Sequence, residues 1–326
     1  MGNYSFHTVL GEIDENKLGF TQPHEHVYIV RTVDQRNCEL TCINNLPRSA
    51  DELLLFRQAG GNTVVDANPL ATGRDVLGLQ DIARLSGVNI IATTGYHIPK
   101  FYPEGHWIFN IPEEELSEMF VREIEEGMFL DGCYVKPEYQ THIKAGLIKS
   151  MITKQGLSDP WTVKCITAAG KAALASGASI MVHTEGVDEL EMIDLLAGKI
   201  GLPTEKILVC HVDRDVTDLE KHRKIAKTGV FMEYDTITLF QFHSNAEEVG
   251  MLRFMIQEGF LDRILLSTDP ETNRMHCYGG TVGIDYILTH FIPLHFAPLS
   301  GHRCVCRRTL GGGNGQRFNQ SLSVLS

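Results

Sequence analysis

Six side chains suited to holding metal ions stand at or just beyond the ends of short apolar runs: His24, His26, Lys149, His183, His211 and Asp269. His24 and His26 flank Glu25, and alternation along an extended segment points both imidazoles the same way, as a chelating pair requires. A lone histidine at a strand end is commonly a hydrogen-bonded structural residue. Four of them with an aspartate, all at the same kind of position, imply convergence on one point. Lys149 is the informative member, because it follows the apolar stretch Ala145-Gly146-Leu147-Ile148. An ammonium there, beside metal cations, would be repelled and costly to desolvate. A neutral amine can instead add carbon dioxide, giving a carbamate whose two oxygens can each bind one metal. Two divalent ions balanced by that carbamate, the aspartate and a bridging hydroxide make a sensible charge count; without carboxylated Lys149 the site holds one metal at best.

The elements that would position these residues recur along the chain. Eight apolar runs bounded by polar or glycine-containing turns read as strands: Gly19 to Pro23, Asn62 to Asp66, Val88 to Thr94, Ala145 to Met151, Ala178 to His183, Ile207 to His211, Val230 to Tyr234 and Ile264 to Asp269. Between them lie stretches of helical periodicity, for example Ala50 to Ala59, Trp161 to Ala175 and Glu247 to Gly259. Strand then helix, repeated eight times, is the pattern of an α/β fold of the (β/α)8 TIM-barrel type, whose active sites form at the carboxyl ends of the strands. The insertion from Gly95 to His142, with Trp107 and further aromatics, is a candidate lid over that end.

The 326 residues, 43% hydrophobic, suit one catalytic domain with a short N-terminal extension and a core over about 8–294. The tail from 295 to 326 is atypical: no acidic residue follows Asp285, and a Gly-Gly-Gly run is poor helix material. A net charge of −12 argues against nucleic-acid binding and for a small-molecule substrate. Neither a leader nor a membrane anchor is written in the first twenty residues, and Phe6 stands where a myristoylation motif wants Ser or Thr. The expected location is the cytoplasm, with no membrane partner. The eight cysteines, scattered from Cys38 to Cys306, read as reduced thiols, with the Cys304-x-Cys306 pair a weak metal signal.

The ordered set TQPHEH, AGLIK, IMVHTE, ILVCH and LLSTD resembles the phosphotriesterase family of the amidohydrolase superfamily, over about residues 8–294. That resemblance implies a binuclear centre: His24, His26 and Asp269 on the more buried metal, His183 and His211 on the more exposed one, and carboxylated Lys149 bridging the two. It also implies hydrolysis by a hydroxide shared between the metals, with Asp269 taking its proton. Zinc, manganese, cobalt and iron all suit such ligands. Relatives are often dimers, which leaves a homodimer open, although the sequence itself does not fix the oligomeric state. One departure is that Thr236 follows Asp235, where phosphotriesterases proper carry a histidine. Glu185, Asp213 and Asp235, just past strand ends, are candidates to orient the imidazoles.

For substrate, the expectation is a sugar-derived lactone, with or without a phosphate. Tyr96 in TTGYH would hold the ring or leaving oxygen, as a similarly placed tyrosine does in the lactonase branch, and Arg274 would pair with a phosphate through its planar fork. The alternatives are aryl phosphotriester hydrolysis and a barrel that only binds a ligand.

Overall fold

All eight apolar runs fold as strands in the computed structural model, which describes residues 5–30, 41–130 and 132–296. They are β3 (Phe20–Glu25), β4 (Gly61–Asp66), β5 (Asn89–Gly95), β6 (Leu147–Met151), β7 (Ser179–His183), β8 (Ile207–Val209), β9 (Phe231–Tyr234) and β10 (Ile264–Leu266). Each pairs in parallel with the next in one eight-stranded sheet, the order of a TIM barrel. β8 and β10 end two and three residues earlier than the apolar pattern predicts. The cause is backbone geometry: His211 and Asp269 sit at φ of 59° and 43°, left-handed conformations that no strand continues through.

The barrel closes between β10 and β3 through side chains. The His24 N–H donates to Ser267 Oγ at 2.8 Å and the Asp269 N–H to the His24 carbonyl at 3.3 Å. Glu25, between the two histidines and therefore pointing the other way, accepts from Ser267 Oγ (3.1 Å), the Thr268 N–H (3.0 Å) and Thr268 Oγ1 (2.7 Å).

Inside the barrel, Val65, Ile91, Leu147, Met181, Leu208, Phe231 and Leu265 form an apolar layer, the inward half of the period-two alternation. The N-terminal extension is a hairpin, β1 (Ser5–Thr8) with β2 (Gly11–Asp14), whose fully buried Phe6 joins that layer. The larger core lies between strands and helices α1 (Leu46–Gln58), α2 (Val76–Ser86), α4 (Pro160–Ser176) and α7 (Asn245–Gln257). Their boundaries follow local chemistry. Asp75 and Asp159 cap α2 and α4, left-handed Gly87 and Gly177 end them, and Ser244 with Glu247 forms a capping box on α7.

The start of the long insertion lines the cavity at the strand ends through His97, Ile98, Lys100 and Phe101, and its later part is anchored to the barrel wall. Its helix α3 (Glu113–Glu125) packs on α4. Arg74 forks onto Glu123 at 2.6 and 3.0 Å, both side chains at most 2% exposed, and also donates to the carbonyls of Thr93 and Phe129. Removing one partner of a buried pair leaves the other uncompensated, so Glu123→Ala is expected to cost about 3–5 kcal/mol in urea unfolding. A loss below about 1 kcal/mol would remove the anchoring role. Residues 297–326, with the expected atypical tail and the Cys304/Cys306 pair, lie outside the described residues, as does Cys38. Among the described residues no two cysteines are joined by a disulfide, and no helix among them is long and apolar enough to cross a membrane.

Candidate metal centre

At the carboxyl ends of the strands, a cavity of about 260 Å³ has His24, His26, His183, His211 and Asp269 in its lining, with Lys149 buried beneath. The predicted set is brought together. Lys149 Nζ lies 3.0 Å from His24 Nε2, His26 Nε2 lies 3.1 Å from Asp269 Oδ1, and His183 Nδ1 lies 2.7 Å from His211 Nε2. Gly95 allows the approach of neighbouring strands here. At its φ of 103° a Cβ would stand 1.9 Å from the Lys149 carbonyl oxygen, which the Tyr96 N–H instead engages at 3.1 Å.

Each imidazole has its outer nitrogen occupied by an acceptor. His24 Nδ1 donates to Glu233 (3.0 Å) and faces Asp235 at the same distance; His26 Nδ1 donates to Asn68 Oδ1 (2.7 Å). His211 Nδ1 donates to Asp235 (2.7 Å) and His183 Nε2 to Glu185 (3.0 Å). Those bonds place a proton on each outer nitrogen, leaving the inner nitrogens of His24, His183 and His211 as lone pairs aimed at the same space, while His26 Nε2 holds a proton toward Asp269 Oδ1 at 3.1 Å that a metal ion would displace. Two ring nitrogens 2.7 Å apart with no proton between them repel unless a cation intervenes, and imidazole nitrogen with carboxylate is a donor set for divalent transition metals.

Electrostatics agree with that reading. Burial pushes His183 down to about 4 and His211 well below its ordinary value, so both rings are neutral near pH 7 with a nitrogen free to bind metal. Burial alone would raise Asp269, but the His26 hydrogen bond and the rings of His24, His26 and His211 hold it well below the usual carboxylate range.

Of the expected orienting acids, Glu185 and Asp235 take that place. Asp213 does not; it accepts the Thr236 N–H at 2.7 Å. Glu233 and Asn68, missed in the sequence reading, hold His24 and His26. Glu233 carried a readable signal, a charge inside an apolar strand two residues before Asp235 and so on the same face.

Two expected substrate residues are placed elsewhere. Tyr96 is fully buried, its hydroxyl bonded to Ser150 Oγ and the Met151 carbonyl at 3.0 Å each, because the strand end turns that ring outward toward Trp161. Arg274 is 7% exposed and donates to the carbonyls of Asp269 and Ile237 and to Thr238 Oγ1 at 2.9–3.0 Å, and also to the Thr268 carbonyl. Neither lines the cavity. Arg274 is a strut under two left-handed residues, Asp269 and Thr238. The side chains that do line the wall include His97, Lys100, Phe101, Glu185, Arg214 and Phe242.

The family model of the phosphotriesterase family matches residues 4–300. A phospho-furanose lactonase from Mycoplasmopsis synoviae (strain 53) is 31% identical over 308 residues, covering 90% of this chain and 86% of the relative. Among solved structures, an amidohydrolase from Mycoplasma synoviae superposes with a TM-score of 0.84 at 30% identity, covering 90% of this chain and 86% of that one. A lactonase from Listeria monocytogenes gives 0.80 at 28% identity, covering 89% and 90%. With the strand order, the rim of imidazoles and a family match across nearly the whole length in agreement, the chain belongs to the phosphotriesterase family.

Proposed function

We propose that this barrel is a binuclear lactonase that opens a small sugar-derived lactone bearing an anionic group such as phosphate. Family membership makes it a metal-dependent hydrolase of ester bonds; the metal count and the substrate are the finer reading. His24, His26 and Asp269 would hold one ion, His183 and His211 the other, and a carboxylated Lys149 both. When bound, such ions polarise the scissile carbonyl and make water nucleophilic at neutral pH. Asp269, kept ionised by three imidazoles, is the base that takes the proton of the attacking water. Glu233, Asp235, Glu185 and Asn68 keep the four imidazoles in the tautomers this requires.

The observation that carries the substrate reading is the cation on the cavity wall. Arg214 lies over the Phe242 ring at 5.2 Å and 3.8 Å from Glu185, and its Nε is buried with no hydrogen-bond partner. Lys100 also reaches the lining. A planar guanidinium on the wall of the cavity that holds the metal ligands, its Nη1 3.4 Å from the Thr184 carbonyl, suits a phosphate and gives a neutral triester nothing. The name of the Mycoplasmopsis relative, a phospho-furanose lactonase, supports the same class.

The test compares kcat/KM on phosphorylated and plain sugar lactones, homoserine lactones and an aryl phosphotriester. Arg214→Met is expected to lower the phosphorylated lactone by about 10- to 100-fold, the worth of a charged hydrogen bond, and the plain lactone far less. Equal losses on both lactones would end the anion-binding role of Arg214. A preference for the triester would end the lactonase reading.

A further inference from the structure

A second group of buried metal-ligating side chains lies apart from the catalytic residues. Asp213 follows β8, His243 belongs to the loop between β9 and α7, and Glu248 lies in the first turns of α7. They are 0%, 4% and 0% exposed. One ligand atom from each falls within 4.8 Å of the others. None belongs to the set His24, His26, Lys149, His183, His211 and Asp269.

The hydrogen bonding here is one-sided. His243 Nδ1 lies 3.3 Å from the Ser244 carbonyl, an acceptor, so the neutral ring keeps its proton on Nδ1 and presents a lone pair at Nε2. Nε2 stands 3.2 Å from Glu248 Oε2 and 3.9 Å from Asp213 Oδ2. Both oxygens of Glu248, and Asp213 Oδ1, are buried with no hydrogen-bond partner. The donors present are the Thr236 N–H, used by Asp213 Oδ2 at 2.7 Å, and the Thr236 hydroxyl, 3.0 Å from His243 Nε2. Two carboxylates and an imidazole lone pair thus meet in a buried space with one hydroxyl hydrogen among them. Buried carboxylates without partners cost several kcal/mol each, a cost that a counter-charge between them removes.

We propose that Asp213, His243 and Glu248 form a further divalent-cation site, with Thr236 Oγ1 as an additional oxygen donor. One imidazole nitrogen among oxygens favours zinc or manganese over calcium or magnesium, which prefer oxygen alone. The separations accommodate ligand bonds of about 2.0–2.2 Å with small side-chain adjustments. The ion would clamp β8, α7 and the loop between β9 and α7. That loop carries Phe242 into the cavity wall and offers Ile237 and Thr238 to Arg274. The site is therefore a positioning device for the substrate wall and takes no part in the chemistry.

The experiment is metal analysis of the full chain purified with added zinc, combined with an anomalous-difference map of its crystals at the zinc edge. Three equivalents are expected, with one peak between Asp213, His243 and Glu248. Glu248→Gln should lose one equivalent and that peak alone, and raise KM more than it lowers kcat. Crystals of the parent decide the matter if the variant folds poorly. No peak at the cluster, with metal content unchanged in Glu248→Gln, overturns the proposal and leaves a shared proton as the counter-charge. A peak at the cluster without peaks at the catalytic histidines sustains it while the binuclear reading fails.

Discussion

Replacing Lys149 with alanine is expected to remove metal and activity together. The amine lies within 3.0 Å of His24 Nε2 and is 1% exposed, among imidazoles and carboxylates that suit a metal ion. As a cation it would oppose metal binding; as a carbamate it would supply the bridging anion. The variant should fall from about two to at most one ion at these ligands, and kcat/KM should fall on the order of 10³-fold or more, since metal polarisation is worth several kcal/mol. The truncated side chain leaves room for a small anion. Partial rescue by a short carboxylic acid with bicarbonate is therefore the second readout. Full activity in Lys149→Ala would end the carbamate reading.

Glu25→Ala should be comparably severe by a different route. Its carboxyl, which burial pushes up to about 7, accepts three hydrogen bonds from Ser267 and Thr268 across the closure of the barrel and a further one from Gln22. Removal orphans buried hydroxyl and amide donors, at an expected cost of about 2–4 kcal/mol. Because His24 and His26 lie on one side of that closure and Asp269 on the other, metal affinity should weaken as well. Denaturant titrations of apo and metal-loaded protein check both effects, with Glu25→Gln intermediate. A stability change under about 0.5 kcal/mol would show that the closure does not depend on this carboxylate.

The barrel and its ligand rim were legible because both rest on strict local patterns. Short apolar runs bounded by polar or glycine-containing turns marked the strands, and polar residues at their ends marked the face. The orienting acids were partly legible: Glu185 and Asp235 stand next to strand ends, whereas Asn68 lies in a loop and pairs with a histidine forty-two residues away. The substrate residues were misplaced because sequence position gives adjacency without direction. Tyr96 directly follows a strand yet faces outward, and Arg274, which looks like a free loop cation, is consumed by backbone carbonyls. Arg214 carried no such signal, since its cavity-facing role depends on Phe242 from a different loop.

The closure of β10 against β3 has a consequence for how the protein is made. Residues 24 and 269 come from opposite ends of the described chain, and the hydrogen bonds that join them also set His24, His26 and Asp269 side by side. On the ribosome, the paired histidines emerge long before Ser267 and Asp269. A nascent or proteolysed chain lacking the last strand would keep four imidazoles and the lysine, yet could neither seal the cylinder nor complete the charge balance. Catalytic competence therefore arrives in a single late step, so a partly built chain would have no hydrolytic activity to release.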